Sequence, residues 1–435
     1  MTLLSDLRWR GLIHQTTDDD GLAALLEERP RTVYAGFDPT ADSLHVGSLL
    51  GLIVLRKFQR AGHKPIGVVG GATGMIGDPS GKSDERNLLS KENLERNVAG
   101  LGEQMRRFLD FDAGSHSAEL VNNFDWTGPW SYLEFLRDIG KNFPVNVMLA
   151  KDSVKSRLGR GDDEGTSDGK SSGMSYTEFS YMLLQAYDFV HLNKTFGCEL
   201  QAGGSDQWGN ITAGIDLARR MHGAQLYGMT WPLLTKSDGT KMGKTENGAI
   251  WLDADRTSPY QFFQYWINTD DNDVDGCLRM LTELDPEEID ALDAARENSP
   301  GKRDSQRRLA TELTMLVHGP AALAIAQQAT KIFFGAEIPE LNDQQLTQIF
   351  ADVPSRELSA SRLSDGSLTI VDALVEAGLA KSKGEGRRTV AQGGAYVNNR
   401  RVEGVDTPLT RQHLASETVT VLRSGKKKYA LLRFL

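Results

Sequence analysis

The chain has 435 residues, of which 39% are hydrophobic and 25% charged, and a formal net charge of −10. That length predicts more than one domain, and that composition is ordinary for a soluble globular protein. No apolar run reads as long enough to span a membrane. Arg8, Arg10 and Asp18-Asp19-Asp20 interrupt any signal-peptide pattern. Two lone cysteines, Cys198 and Cys277, exclude a cysteine-rich zinc site and suit a reducing, cytoplasmic setting. Both read as buried core thiols.

Thr32–Phe37 predicts a short buried strand. The run from Gly47 to Arg60 predicts a helix stopped at Gly62, and Pro65–Val69 the next strand. This strand–helix–strand alternation implies a doubly wound, parallel, Rossmann-type α/β sheet. A helix over roughly Lys91–Leu109, a strand at Glu119–Asn122 and a helix near Trp130–Ile139 follow. The stretch 159–174 is rich in Gly and Ser and reads as a mobile insertion. Ser175-Tyr176-Thr177-Glu178 reads as a capping box opening a helix to about Val190. Glu199–Ala202 reads as a short strand. Gly203-Gly204-Ser205-Asp206 then starts a helix to Met221, with Ser205 or Asp206 as its cap.

From Ser258-Pro259 the pattern is helical through about Phe334, residues 335–360 lack strong periodicity, and a small mixed α/β unit follows. It ends in a hairpin of Val419–Leu422 and Tyr429–Leu432. The division is therefore a catalytic domain over 1–250, a helical domain over 251–335, a linker over 336–362 and a small α/β domain over 363–435. Residues 361–435 hold thirteen Lys/Arg against seven Asp/Glu, a net of +6, which leaves −16 on the rest. A basic tail on an acidic body suggests a nucleic-acid partner for the tail.

Several clusters carry chemistry. Tyr181, Gln185 and Asp188 fall on one stripe of an otherwise apolar helix, so a polar ligand that offers hydrogen-bond donors is expected beside them. Gly203 to Asn210 is a strand–glycine–helix junction where backbone N–H groups can meet a ligand. Gly77-Asp78-Pro79-Ser80-Gly81-Lys82-Ser83 approaches a P-loop, but Ile76 stands where the first glycine belongs, so a Walker-type ATPase is rejected. The loop still places Asp78, Lys82 and Arg86 beyond a strand end. Lys241-Met242-Gly243-Lys244-Thr245 puts two lysines three apart in a glycine-bearing loop suited to a polyphosphate. Leu44-His45-Val46-Gly47-Ser48 sets a histidine at a helix start.

The last two stretches resemble the paired signatures of class I aminoacyl-tRNA synthetases. Tyr34–Thr40, Gly77–Arg86, Ser175–Tyr181, Gly203–Asn210 and Thr240–Thr245 together resemble bacterial tyrosyl-tRNA synthetases over nearly the whole chain. Lys381–Arg388 through Ala395–Asn398 resembles a small RNA-binding domain of the ribosomal S-four type. The resemblance implies tyrosine activation by ATP with Mg2+, transfer to tRNA(Tyr), and a homodimer with no membrane association. Residue by residue, it implies that Tyr34 and Asp188 bind the phenol, and that Tyr181, Asp78 and Gln185 hold the ammonium group. Gln201 and Gln207 would orient the amino acid. Gly36, Asp38, Gly47, Ser48 and Asp206 would line the nucleoside, and Thr40 and His45 would contact the terminal phosphates. Lys82, Arg86, Lys241, Lys244 and Thr245 would embrace the leaving pyrophosphate. Lys381, Lys383, Arg387 and Arg388 would meet RNA. No residue reads as a covalent nucleophile, and no protein metal cage is expected. Ser48 replaces the second histidine of the family's first signature.

Overall fold

The structure, a computed structural model, describes residues 2–80, 90–151, 154–155, 174–245, 248–364 and 366–435. The chain divides into two compact units: Met1–Arg256 with Thr269–Leu309, and Thr257–Asn268 with Ala310–Leu435.

The first unit is built on six strands: β1 (Gln15–Thr16), β2 (Thr32–Phe37), β3 (Lys64–Val69), β4 (Glu119–Asn122), β5 (Cys198–Gly204) and β6 (Tyr227–Trp231). Their spatial order is β1-β6-β5-β2-β3-β4. All neighbours run parallel except β1, which pairs antiparallel with β6. The central strands are nearly continuous apolar runs because helices cover both faces of such a sheet. From β2 the chain builds outward through β3 and β4, then returns to place β5 and β6 on the opposite side. Direction therefore reverses between β2 and β5, and a crevice opens at their carboxyl ends.

Two helices frame that crevice. Val46–Arg60 follows β2; His45 caps it, and Gly62, at φ 88°, turns the chain back into β3. Tyr176–Phe196 is capped by the Ser175 hydroxyl, which accepts the Glu178 N–H. It runs past the expected end at Val190 because its apolar pattern continues. It stops at Gly197, whose φ of 63° is the left-handed conformation that glycine adopts at low cost. Met182, Ala186, Phe189 and Val190 of this helix pack on Tyr34, Ile66 and Val68 of the strands. The next helix begins later than expected. After β5 the chain makes a tight turn over Ser205–Gln207, and the α-helix runs Trp208–His222. Neither Ser205 nor Asp206 caps it; Gln207 holds the cap position and makes no side-chain capping bond.

The helical stretch does not form one body of its own. Helices Val274–Leu281 and Pro286–Asn298 belong to the first unit, whereas Pro259–Ile267 belongs to the second. The bonding explains the division. The buried guanidinium of Arg10 donates to the carbonyls of Arg279, Thr282 and Leu284, binding Val274–Leu281 to the N-terminal helix Leu3–Trp9. On the other side, Gln264 donates to Thr330 and Tyr260 packs on Phe333. By length and composition, Pro300–Phe333 is apolar enough to cross a membrane, contrary to the expectation that no apolar run is long enough. Gly319, at φ 81° and followed by Pro320, breaks it into two helices. Ala326, Ala329 and Ile332 of its second half are buried within the protein.

The segment 336–362, expected as a linker, holds real structure. Asn342 caps the helix Asp343–Ile349, and Ser355–Leu358 is a strand, β9. With β10 (Ala395–Val397), β11 (Arg400–Arg401), β12 (Val419–Ser424) and β13 (Lys428–Phe434) it forms a sheet ordered β11-β10-β12-β13-β9. Side chains alternate across this sheet with the strand period. Val419, Val421, Tyr429 and Leu431 face Ile332, Leu346 and Phe350. Leu422, Ala430, Leu432 and Phe434 face the helices Ile370–Glu376 and Lys383–Ala391.

Candidate active site

A cavity of about 260 Å³ occupies the crevice between β2 and β5. Tyr34, Asp78, Tyr181, Gln185, Asp188, Gln201 and Gln207 all line it, as do Gly36, Asp38, Thr40, His45, Ser48 and Asp206. Residues expected from stretches far apart in sequence are thus gathered at one switch point. Tyr34 on β2 lies opposite Gln201 on β5 in the sheet register. Lys82 and Arg86 lie outside the described residues.

The inner end is buried and prearranged. Asp188 is 3% exposed, yet both its oxygens accept hydrogen bonds: Oδ2 from Asn123 at 3.0 Å and Oδ1 from the Trp126 indole at 2.8 Å. Burial raises its pKa to about 7 despite those two donors. Beside it the Tyr34 hydroxyl is buried without a hydrogen-bond partner, and so is Gln201 Oε1. A missing partner for a buried polar atom is costly, so these atoms mark where a ligand's polar groups fit. Asn123 and Trp126 escaped the sequence reading. The signal for them was positional, since both follow β4 at its carboxyl end, where such sheets bind ligands.

Asn123 also ties the inner end to the middle of the cavity. It donates to Thr73 Oγ1 at 3.0 Å, and Thr73 donates to Asp38 at 2.8 Å. The Tyr181 hydroxyl, expected to face an ammonium group, donates to the other oxygen of Asp38 at 2.9 Å. Asp78 accepts from the Ser80 N–H at 3.0 Å and from Gln207 at 2.6 Å. Gln207 in turn accepts from Asn210 at 3.1 Å. Burial, then the charge of Asp78, raises the pKa of Asp206. Gly36 has open space where a Cβ would stand, so nothing screens that stretch of β2 from the cavity.

Gly47, Lys241 and Lys244 are not among the residues that line the cavity; past its outer end, beside His45, lies an exposed, cationic loop. Lys241 and Lys244 reach solvent on either side of Met242, which is buried. Cys277 points its Sγ at Met242 Sδ, 3.6 Å away. The Ser237 N–H donates to Asp273 at 2.7 Å, so the loop rests on the start of the helix Val274–Leu281 at two points. The two signature stretches also meet directly. The Val46 N–H donates to Ile250 and the Ile250 N–H to Gly243. A Cβ on Gly243 would lie 2.8 Å from Val46 Cβ, and its φ is 80°, so only glycine fits there. His45 Nδ1 accepts the Gly47 N–H at 3.0 Å. A Cβ on Gly47 would strike the His45 ring, so this glycine serves the cap as well as any ligand. Desolvation by the surrounding protein, then the charges of Lys244 and Lys241, lower the His45 pKa, leaving an uncharged ring. Thr245 lies in the short strand β7 (Lys244–Thr245), paired with β8 (Gly248–Ala249).

In the second unit, Lys381, Lys383, Arg387 and Arg388 are exposed at the start and along one side of the helix Lys383–Ala391. Lys383 is paired with Asp372 at 2.7 Å, which leaves Lys381 and the two arginines as the more available charges.

The family described as tRNA synthetases class I (W and Y) matches residues 26–335, and the C-terminal domain of the tyrosine--tRNA ligase type matches residues 345–432. The chain belongs to these class I tRNA synthetases, on their tyrosine--tRNA ligase branch. It is 60% identical to the tyrosine--tRNA ligase of Rhodopirellula baltica, over 99% of this chain and 96% of that protein. It is 51% identical to that of Geobacillus stearothermophilus over the full length of both. A C-terminally truncated mitochondrial tyrosyl-tRNA synthetase from Aspergillus nidulans shares the architecture at 32% identity and a TM-score of 0.66, covering 76% of this chain and 94% of that one.

Proposed function

We propose that the chain activates L-tyrosine with ATP, releasing pyrophosphate, and transfers the tyrosyl group to the 3' end of tRNA(Tyr). The observation that carries this reading is the buried Asp188 carboxylate, held by two donors beside the partnerless Tyr34 hydroxyl. A phenol fills that vacancy. It donates to Asp188 and accepts from Tyr34, and a phenyl ring does neither. Asp78 and Gln185, with Tyr181, take the ammonium group. This requires Gln207 to yield its bond to Asp78, which frees Gln207 to turn toward the carboxylate. Gln201 offers its lone acceptor to the same ammonium.

The tyrosine carboxylate attacks the α-phosphorus of ATP in line, and the phosphoanhydride bond to pyrophosphate breaks. Positioning and fixed charge do the catalytic work. Asp38, Asp206 and the bare backbone at Gly36, with Gly47 and Ser48 on the helix start, flank the nucleoside. Thr40 and the neutral His45 donate to the terminal phosphates. Lys82, Arg86, Lys241 and Lys244 neutralise the leaving pyrophosphate, and the Thr245 hydroxyl donates to it. Magnesium accompanies ATP. It would be held mainly by the phosphates, with Asp78 turned to the ammonium group.

In the second unit, Lys381, Lys383, Arg387 and Arg388 meet tRNA phosphates. A homodimer is supported by the apolar side chains left open at Tyr132, Leu133, Val145 and Tyr176 of the first unit. We place the enzyme in the cytoplasm. ATP–pyrophosphate exchange with each of the twenty amino acids tests the reading. Exchange driven by tyrosine alone is expected, and comparable exchange with phenylalanine or tryptophan would overturn it.

A further inference from the structure

We infer that His191 is a positioning residue for tyrosine selection, holding Trp126 in the orientation from which its indole N–H fixes Asp188. The inference rests on the reading of Asp188 as the group that meets the phenol.

Trp126 lies in a helix of only four residues, Phe124–Thr127. A single turn of that length cannot hold a large side chain by itself. The ring packs against the hydrophobic core, and two directional contacts orient it there, both from the helix Tyr176–Phe196. The indole Nε1 donates to Asp188 Oδ1 at 2.8 Å. The indole face lies on the His191 ring, with centroids 4.5 Å apart and planes inclined by 11°. Asp188 and His191 stand three residues apart, so one helix face presents both. The two grips do different things. The hydrogen bond fixes where the N–H ends, and the stack fixes the plane of the ring. Without the stack the indole pivots about its N–H···O bond, and the carboxylate loses a stationary donor.

His191 is braced for this work. Its Nε2 lies 3.3 Å from the Thr195 hydroxyl, one turn on. Its ring also meets Tyr187 at 6.4 Å, and Tyr187 is set edge-on to Trp130 at 5.5 Å. Around this row the rings meet edge-on or tilted; the contact on Trp126 is face to face. Removing one such stack is expected to change affinity by roughly three- to tenfold.

The test uses the full chain and four variants: His191→Ala, His191→Phe, Trp126→Phe and the double change His191→Ala with Trp126→Phe. Tyrosine KM, ATP KM and kcat are measured by pyrophosphate exchange, with thermal melting as the folding control. His191→Ala is expected to raise tyrosine KM and to narrow the preference for tyrosine over phenylalanine, leaving ATP KM unmoved. His191→Phe, which keeps a flat ring over the indole, is expected to restore both. In the Trp126→Phe background, where no N–H reaches Asp188, His191→Ala is expected to add nothing. An unchanged tyrosine KM in His191→Ala overturns the inference. So does an equal loss with and without the Trp126 N–H, or a matching rise in ATP KM. If the wild-type chain shows no tyrosine-dependent exchange, the reading of Asp188 falls and takes this inference with it. Normal wild-type exchange with an indifferent His191 removes this inference alone.

Discussion

The two ends of the cavity are built on opposite plans. At the inner end a carboxylate, an amide and a hydroxyl sit among Phe189, Ala186 and the strand core, with their geometry set before any ligand arrives. Past the outer end, outside the cavity lining, two lysines stand in solvent on a loop that depends on a glycine at positive φ. Burial suits recognition, because an unpaired buried polar group penalises the wrong ligand. Exposure suits the chemical step, because long cations can follow charge that develops on a departing group. The proposed roles thus assign selection to one region and acceleration to the other, and mutations can test the separation.

The largest effect is expected at the outer end. Lys241→Ala and Lys244→Ala should each slow adenylate formation by about 10²–10³-fold. Tyrosine affinity, read by equilibrium dialysis, should stay where it was. A loss of affinity as large as the loss of rate would erase the distinction between the two ends.

Gly243→Ala should come next. Its Cβ would meet Val46 at 2.8 Å, and the backbone strain is worth roughly 1–3 kcal/mol. Single-turnover pyrophosphate release should slow, and Val46→Gly in the same chain, which removes the Cβ that is struck, should recover part of the loss. If the double variant is no faster than Gly243→Ala, the contact between the signature stretches is not what limits the loop.

A pH series sharpens the inner end. In the free folded chain burial raises the Asp188 pKa to about 7, against 3.8 for an unperturbed carboxyl. Between those values the folded state holds more protons than the unfolded one, so the contribution of Asp188 to stability falls as pH rises through that window. A phenol that donates to the carboxylate favours its ionised form, so binding expels the proton. Tyrosine affinity should therefore weaken below pH 7, by up to about tenfold per unit. Phenylalanine affinity should stay flat, and a parallel fall for both ligands would point to some other group.

The smallest effect is expected for Tyr34→Phe. It removes a hydroxyl that the free protein leaves unpaired, so folding stability should hold or rise slightly. Tyrosine binding should weaken by about 0.5–1.5 kcal/mol, with phenylalanine unaffected. Equal changes for both amino acids would mean that Tyr34 only packs.

Much of this was legible in the sequence, for physical reasons. β2 and β4 were expected at Thr32–Phe37 and Glu119–Asn122 and were found there; β2 is a buried strand with a compact apolar run between turn residues, whereas β4 is a half-buried edge strand. The stripe of Tyr181, Gln185 and Asp188 could be read from helical period alone. Other parts left no such trace. Ser355–Leu358 is an edge strand with three exposed residues, Ser355, Arg356 and Glu357, so it has no apolar alternation to detect. Asn123 and Trp126 reach Asp188 across more than sixty residues of chain, and no local pattern encodes a partner that distant. The same edge strand bears on truncation. A cut near residue 355 would bare Leu346, Ile349 and Phe350, so replacing exposed Arg387 and Arg388 is the cleaner probe of RNA contact.

Both native thiols are sealed away. Cys198 is wholly enclosed and its pKa is pushed far above the usual range, while burial pushes Cys277 up to about 12. At neutral pH neither offers a thiolate to an alkylating reagent. The wild-type protein is thus chemically silent toward maleimides and can serve as its own labelling background. One cysteine introduced at the exposed Ser237 would carry a fluorophore or spin label to the lysine loop, and its signal would track loop movement during turnover with no native residue removed.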